Sequence, residues 1–150
     1  MIYVGSDHAG LQLKNILVES LAKSGYSVTD IGPKEYKPED DFPDFAAKVC
    51  RMLKNDKEAK GILVCGSGQG MAMVANKIKG IRAAVCWNTG IAKQAREHLD
   101  ANVLCLGASY LNEAEAREIT DTFLNTQFLA REKYLRRIRK IKEFKNSKAR

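Results

Sequence analysis

Residues 65–70 read Cys-Gly-Ser-Gly-Gln-Gly, and the apolar run Ile62-Leu63-Val64 leads into them. A thiol and a hydroxyl stand among three glycines at alternate positions, so the segment is mostly bare backbone. Gly66, Gly68 and Gly70 let the chain turn tightly and expose several N–H groups just before a helix, which makes an anion site. The anion is either a phosphate or the oxyanion of an enediolate formed by proton transfer. A plain glycine turn between a strand and a helix is the other reading. Cys65 opens this loop at a helix N-terminus, a setting that favours the thiolate. Cys50, Cys86 and Cys105 lack such a loop and read as packing residues. The usual glycine signatures fail. G-x-G-x-x-G needs glycine where Met71 stands, no Gly-Lys-Ser/Thr is present, and a phosphate-transferring cysteine loop needs arginine at 71.

Asp7 and His8 follow the first apolar run and could bind hydroxyls or a phosphate, or move a proton near neutral pH. A turn-capping aspartate beside a surface histidine is the bland alternative. His98 closes a helical pattern, where an imidazole also suits the carbonyl dipole of a helix end. Arg136, Arg137 and Arg139 could clamp a phosphate by paired hydrogen bonds, or could be a solvated basic face.

Something must hold these groups together. Short apolar runs at 2–4, 26–31, 61–64, 81–86 and 102–106 hardly alternate in polarity, as expected of strands buried on both faces. Helical patterns lie between them. Leu13, Ile16, Leu17 and Leu21 mark the first, and Phe42, Phe45, Ala46, Val49, Met52 and Leu53 the second. Residues 71–78, 89–99 and 112–125 supply three more. Strand alternating with helix predicts a Rossmann-like, three-layer αβα fold with a five-stranded parallel sheet. Ligands then bind beyond the carboxyl ends of the strands, and the groups named above are expected there. Residues 32–41 form the one long loop. A helical pattern over 129–144 follows the completed sheet, with a narrow apolar stripe of Tyr134, Leu135, Ile138 and Ile141. Residues 129–150 read either as an arm on a neighbouring subunit or as a helix lying back on its own sheet.

The chain has 150 residues and reads as a single domain, 1–150. Its net charge of +7 is uneven: residues 131–150 carry ten Lys/Arg and two Glu, a net of +8, which leaves −1 for the remainder. A near-neutral body argues against nucleic acid as a partner. No apolar stretch approaches a membrane span. The opening MIYVGSDHAG lacks the basic start and long apolar region of a signal peptide. Four cysteines without a C-x-x-C pair suggest reduced thiols. A cytoplasmic protein is expected, with no membrane partner.

These pieces resemble one family: ribose-5-phosphate isomerase B and its relatives, the galactose-6-phosphate isomerase subunits. The matching stretches are GSDHAG (5–10), DFPDFA (41–46), GILVCGSGQGM (61–71), ANKIKGIRAAVCWN (75–88), AREH and DANVLCLG (95–107, with Leu99 breaking the match after the first four residues) and DTFLNTQF (121–128). The resemblance implies a homodimer or dimer of dimers, no cofactor and no metal, and interconversion of ribose 5-phosphate with ribulose 5-phosphate through a cis-enediolate. By position it implies Cys65 as the base at C2 and C1, and Ser67 as a helper for the hydroxyl proton. The 66–70 backbone (Gly66, Gly68, Gln69, Gly70) would hold the enediolate oxygen. His98 would open the sugar ring with Asp7 assisting. His8 and the arm, through Lys133 and Arg137, would take the phosphate, partly across the dimer.

Three departures bear on the substrate. Leu99 stands where the family has Asn, and Ser109 where it has Arg. Segment 128–137 is one residue longer than its counterpart, so that Lys133 falls where the first phosphate arginine is expected, with Arg131 as a possible substitute. A six-carbon sugar 6-phosphate, or a phosphosugar-binding module without turnover, are the alternatives these departures open.

Overall fold

The computed structural model describes residues 1–54, 56 and 58–144. Residues 145–150 of the expected arm lie outside the described residues. Five strands, β1 (Ile2–Ser6), β2 (Val28–Gly32), β3 (Lys60–Cys65), β4 (Ala83–Val85) and β5 (Val103–Gly107), form one parallel sheet in the order β2-β1-β3-β5-β4. Helices α1 (Leu11–Lys23), α2 (Phe42–Met52), α3 (Gln69–Ala75), α4 (Thr89–Leu99) and α5 (Glu113–Asn125) cover it, and α6 (Glu132–Phe144) follows.

Alternate residues of a strand point to opposite faces, and both faces here are apolar. Ile62 and Val64 join Leu104 and Leu106 under α1, α4 and α5, against Leu13, Leu17, Ala92, Ala95, Ile119 and Phe123. Leu63 and Cys65 join Val103 and Cys105 under α2 and α3, against Ala46, Val49, Met71 and Ala75. This two-sided burial is why the strands read as unbroken apolar runs.

Helix starts are set by local chemistry. The Asn88 side chain accepts the Ile91 N–H at 2.9 Å and caps α4. Asn112 and Glu115 form a reciprocal capping box on α5, each bond 2.9 Å. Three expected boundaries shift. β4 is half its predicted length, because it is an edge strand with β5 as its one neighbour. α3 runs earlier than the 71–78 pattern and stops at Ala75. There Asn76 turns its side chain to the N–H and C=O of Ala83, both at 2.9 Å. α6 begins at Glu132 rather than 129, since Ala130 has φ 48°, which a right-handed helix cannot accept. Tyr134 and Ile138 are buried and α6 packs on α4 of its own chain, while Ile141 stays 46% exposed.

Candidate active site

β1 hands over to α1 on one face of the sheet and β3 to α3 on the other, so a crevice opens between their carboxyl ends. Asp7 and His8 leave β1 there, and Cys65 to Gly70 leave β3. The two segments touch. The Asp7 N–H donates to Val64 O at 3.3 Å, and a Cβ at Gly10 would lie 2.4 Å from that same oxygen. Only a glycine lets the start of α1 approach β3 so closely.

Cys65 is buried on the α2–α3 face, and its sulfur accepts the Gly68 N–H at 3.1 Å. Gly68 has φ 76°, and this left-handed turn brings its N–H back over the sulfur. The Ser67 Oγ accepts the Gln69 N–H at 3.4 Å. The N–H groups of Gly66, Ser67 and Gly70 find no acceptor among the described residues. The loop is therefore a set of unspent donors beside a thiol. Of the four donors expected from the resemblance, Gly68 and Gln69 are occupied within the chain. On the β4 side of the loop, a cavity of about 330 Å³ is lined by Ser67, Gln69, Trp87 and Tyr110.

The Asp7 carboxylate accepts the Gly10 N–H at 3.0 Å. It shapes the turn before α1 but does not cap the helix, which starts after Gly10 without a side-chain cap. His8 is half-buried. Asp40 Oδ1 accepts from its backbone N–H at 3.0 Å and lies 2.7 Å from its Nδ1. The imidazole and the Tyr36 ring stand perpendicular, centroids 5.8 Å apart. The hydrogen bond to Asp40 holds the imidazole above its usual range, against a downward push from burial, with the charges of Asp40, Asp7 and Glu39 adding to the rise. Asp40 is missing from the sequence reading. The matched stretch 41–46 begins one residue after it, and the only signal was an acidic run, Glu39-Asp40-Asp41, in the one long loop.

His98 is not with these groups, and the expectation that it reaches the carboxyl rim fails within one chain. Helices in such a sheet run antiparallel to the strands, so the last turn of α4 lies at the amino end. Arg82, which precedes β4, donates through Nε to Leu99 O at 2.9 Å and Asp100 O at 2.8 Å and fixes that end. His98 and Cys65 are thus roughly 15 Å apart, about one strand length. His98 stacks on Tyr134 of α6 with centroids 4.4 Å apart and planes 20° from parallel. Lys133 Nζ lies 4.9 Å from the same ring centroid. Arg137 follows one turn later, exposed on the same side of the helix. One chain therefore carries two separate clusters: Asp7, His8 and the 65–70 loop at the carboxyl end, and His98, Lys133 and Arg137 at the amino end. Among the described residues no three His, Cys, Asp or Glu side chains gather as metal ligands, and no helix is long and apolar enough to cross a membrane.

Known proteins match this chain over nearly its whole length. Residues 2–141 match the family described as Ribose/Galactose Isomerase. The chain is similar to the probable ribose-5-phosphate isomerase B of Mycoplasma pneumoniae, 43% identical over 85% of this chain and 84% of the relative. It is also similar to a D-erythrulose-4-phosphate isomerase of Pectobacterium atrosepticum, 39% identical over the same shares. The crystal structure of ribose-5-phosphate isomerase B from Mycoplasma genitalium with bound ribulose 5-phosphate superposes with a TM-score of 0.93. That match has 40% identity and covers 98% of this chain and 97% of the other. On sequence and fold alike, the chain belongs to the ribose/galactose isomerase family.

Proposed function

We propose that this protein interconverts ribose 5-phosphate and ribulose 5-phosphate through a cis-enediolate. The observation that carries the reading is the 65–70 loop, where a sulfur that already accepts one N–H stands beside three N–H groups without acceptors. The family and the ribulose 5-phosphate held by the Mycoplasma genitalium relative support the same substrate.

The chemistry fits what the loop offers. Cys65, as thiolate, takes the proton from C2 of the open-chain aldose. The C–H electron pair becomes the C1–C2 double bond and the carbonyl electrons move onto O1. The N–H groups of Gly66, Ser67 and Gly70 stabilise that oxyanion. Ser67 passes the O2 proton to O1, and the Cys65 thiol, after exchanging its proton with solvent, delivers a proton to C1, giving the ketose. Nothing is oxidised or reduced overall, so no electron carrier is needed. Asp7 and a histidine open the sugar ring, and His8 takes the phosphate. With His98 about a strand length from Cys65, ring opening falls to the partner subunit's His98. Lys133 and Arg137 of the same partner's arm approach the phosphate, and the assembly is a homodimer or a dimer of dimers.

A different sugar phosphate is the second reading, favoured by two side chains. Leu99 cannot donate to a sugar hydroxyl, and Ser109, exposed 3.6 Å from the place of a Gly66 Cβ, brings no cation. Comparing kcat/KM for four-, five- and six-carbon sugar phosphates separates the two. The primary test is proton NMR of ribose 5-phosphate in D₂O with wild-type protein and Cys65→Ala. Ribulose 5-phosphate deuterated at C1 is expected from the wild type alone, and undiminished turnover by the variant would exclude Cys65 as the base.

A further inference from the structure

His8 is anchored by a residue that neither the family motifs nor the proton-transfer scheme uses. Asp40 comes from the far end of the 32–41 loop and receives both donors that His8 can turn towards it, the backbone N–H at 3.0 Å and Nδ1 at 2.7 Å. Its side chain is 10% exposed, and His8 is its one hydrogen-bonding partner among the described residues. The second oxygen, Oδ2, is buried and has no donor among the described residues. A carboxylate so desolvated is costly unless a positive charge faces it. Lys34 and Lys37 line the same cavity as Asp40, but the group that hydrogen-bonds the carboxylate and can carry that charge is the imidazole of His8.

We propose that Asp40 is the positioning residue for phosphate capture. It fixes His8 with Nδ1–H directed to its carboxylate and favours the imidazolium, whose Nε2–H is the donor to the phosphate of the substrate. This rests on the reading that His8 meets the phosphate. Because the backbone N–H and Nδ1 of His8 both meet one carboxylate, the imidazole is held in one orientation, and Nε2 has no partner among the described residues. An imidazolium Nε2–H binds a phosphate oxygen far better than a neutral ring does. The 32–41 loop thereby becomes part of the binding site without touching the reacting carbons.

The sign of the pH effect follows. Asp40 raises the proton affinity of His8, with Asp7 and Glu39 adding to it and Tyr36 standing perpendicular as the remaining titratable neighbour. The contact is strongest below the ordinary histidine range and fades as pH rises through the raised value. KM for the sugar phosphate should climb over that window.

The test uses the full-length protein labelled with ¹⁵N-histidine. The chain has two histidines, so a His98→Gln variant assigns both signals. In the wild type, His8 should titrate above 6.5, carry its neutral proton on Nδ1, and shift on addition of inorganic phosphate. In Asp40→Asn, its titration should fall towards 6.5. KM at pH 7.5 should rise roughly tenfold with kcat within about twofold, a change expected of one weakened charged hydrogen bond. Asp40→Glu should recover part of the loss. A folded Asp40→Asn protein with an unmoved His8 titration, or one that loses kcat at constant KM, overturns the proposal. If the variant does not fold, the wild-type tautomer decides: a neutral His8 protonated on Nε2 overturns it. A wild-type His8 that ignores phosphate removes the phosphate reading itself, whatever Asp40 does to the titration.

Discussion

Gly68 stands at φ 76°, and a Cβ there would lie 3.0 Å from the Leu106 carbonyl carbon. Gly70 has a different constraint: its Cβ would meet the Phe42 ring at 2.8 Å. The repeat of glycines at alternate positions was legible in the sequence. That one glycine serves the backbone turn and the next a ring from α2 was not, because Phe42 is distant along the chain. Gly68→Ala therefore strains the backbone by roughly 1–2 kcal/mol, and moves the N–H that faces the Cys65 sulfur. By displacing the neighbouring donors Ser67 and Gly70 as well, it should cost about 10²-fold in kcat, in the range of a lost oxyanion donor, together with a lower Tm. Steady-state kinetics and thermal unfolding of the variant check both. Full kcat would mean that the loop does not hold the transition state. Asp40 marks the limit at this scale. Its type and its loop were visible, but the contact with His8 spans 32 residues, and nothing in the local pattern encodes it.

At the scale of elements, the apolar runs located all five strands and the periodicity located all six helices. The boundaries moved where one side chain intervened, as Asn76 does at the end of α3. What periodicity could not reveal is a fully buried lysine. Lys14 sits on the inner face of α1, 0% exposed, and donates to Asp30 of β2 at 2.8 Å and to Pro33 O at 2.9 Å. In the sequence it reads as an ordinary solvated position among Leu13, Ile16 and Leu17. Burial pushes the Asp30 carboxyl up, but Lys14, Lys34 and the Gly32 N–H outweigh it, and the net effect is a value below the usual carboxylate range. A carboxylate with a depressed folded value contributes stability that is present above its unfolded value, near 3.9. That stability is lost as pH falls through the folded value. Lys14→Met removes one partner of the pair. Because Lys34 remains and Asp30 keeps some solvent contact, the loss should fall near or below the low end for a broken buried pair, about 2–3 kcal/mol. Urea unfolding at pH 7 measures it. Acid unfolding of the variant should also begin at higher pH. An unchanged acid limb would mean that Asp30 does not depend on Lys14.

At the scale of the whole molecule, the proposed function ties the two clusters to a testable assembly. Individual residues in both were legible, yet their separation was not, since it follows from α4 running antiparallel to the strands. If each site joins Cys65 of one subunit to the partner subunit's His98, the clusters are related by a two-fold axis and every dimer holds two shared sites. This makes a quantitative forecast. Cys65→Ala and His98→Gln each remove activity alone. When equal amounts are unfolded together and refolded, roughly half of the dimers are mixed by random pairing. In a mixed dimer both lesions fall in one site, and the other site receives wild-type Cys65 and wild-type His98. About a quarter of wild-type activity should return, with an unchanged KM in the restored sites. A site contained within one chain would instead be defective in every subunit of the mixture, and activity would stay near zero. The same refolding of Cys65→Ala with Asp40→Asn separates the halves further. Asp40 and Cys65 belong to one cluster, so in the mixed dimer the site that retains Cys65 also keeps the Asn substitution. Asp40→Asn dimers are active on their own, so the mixture should keep about half of their activity, all of it with the elevated KM.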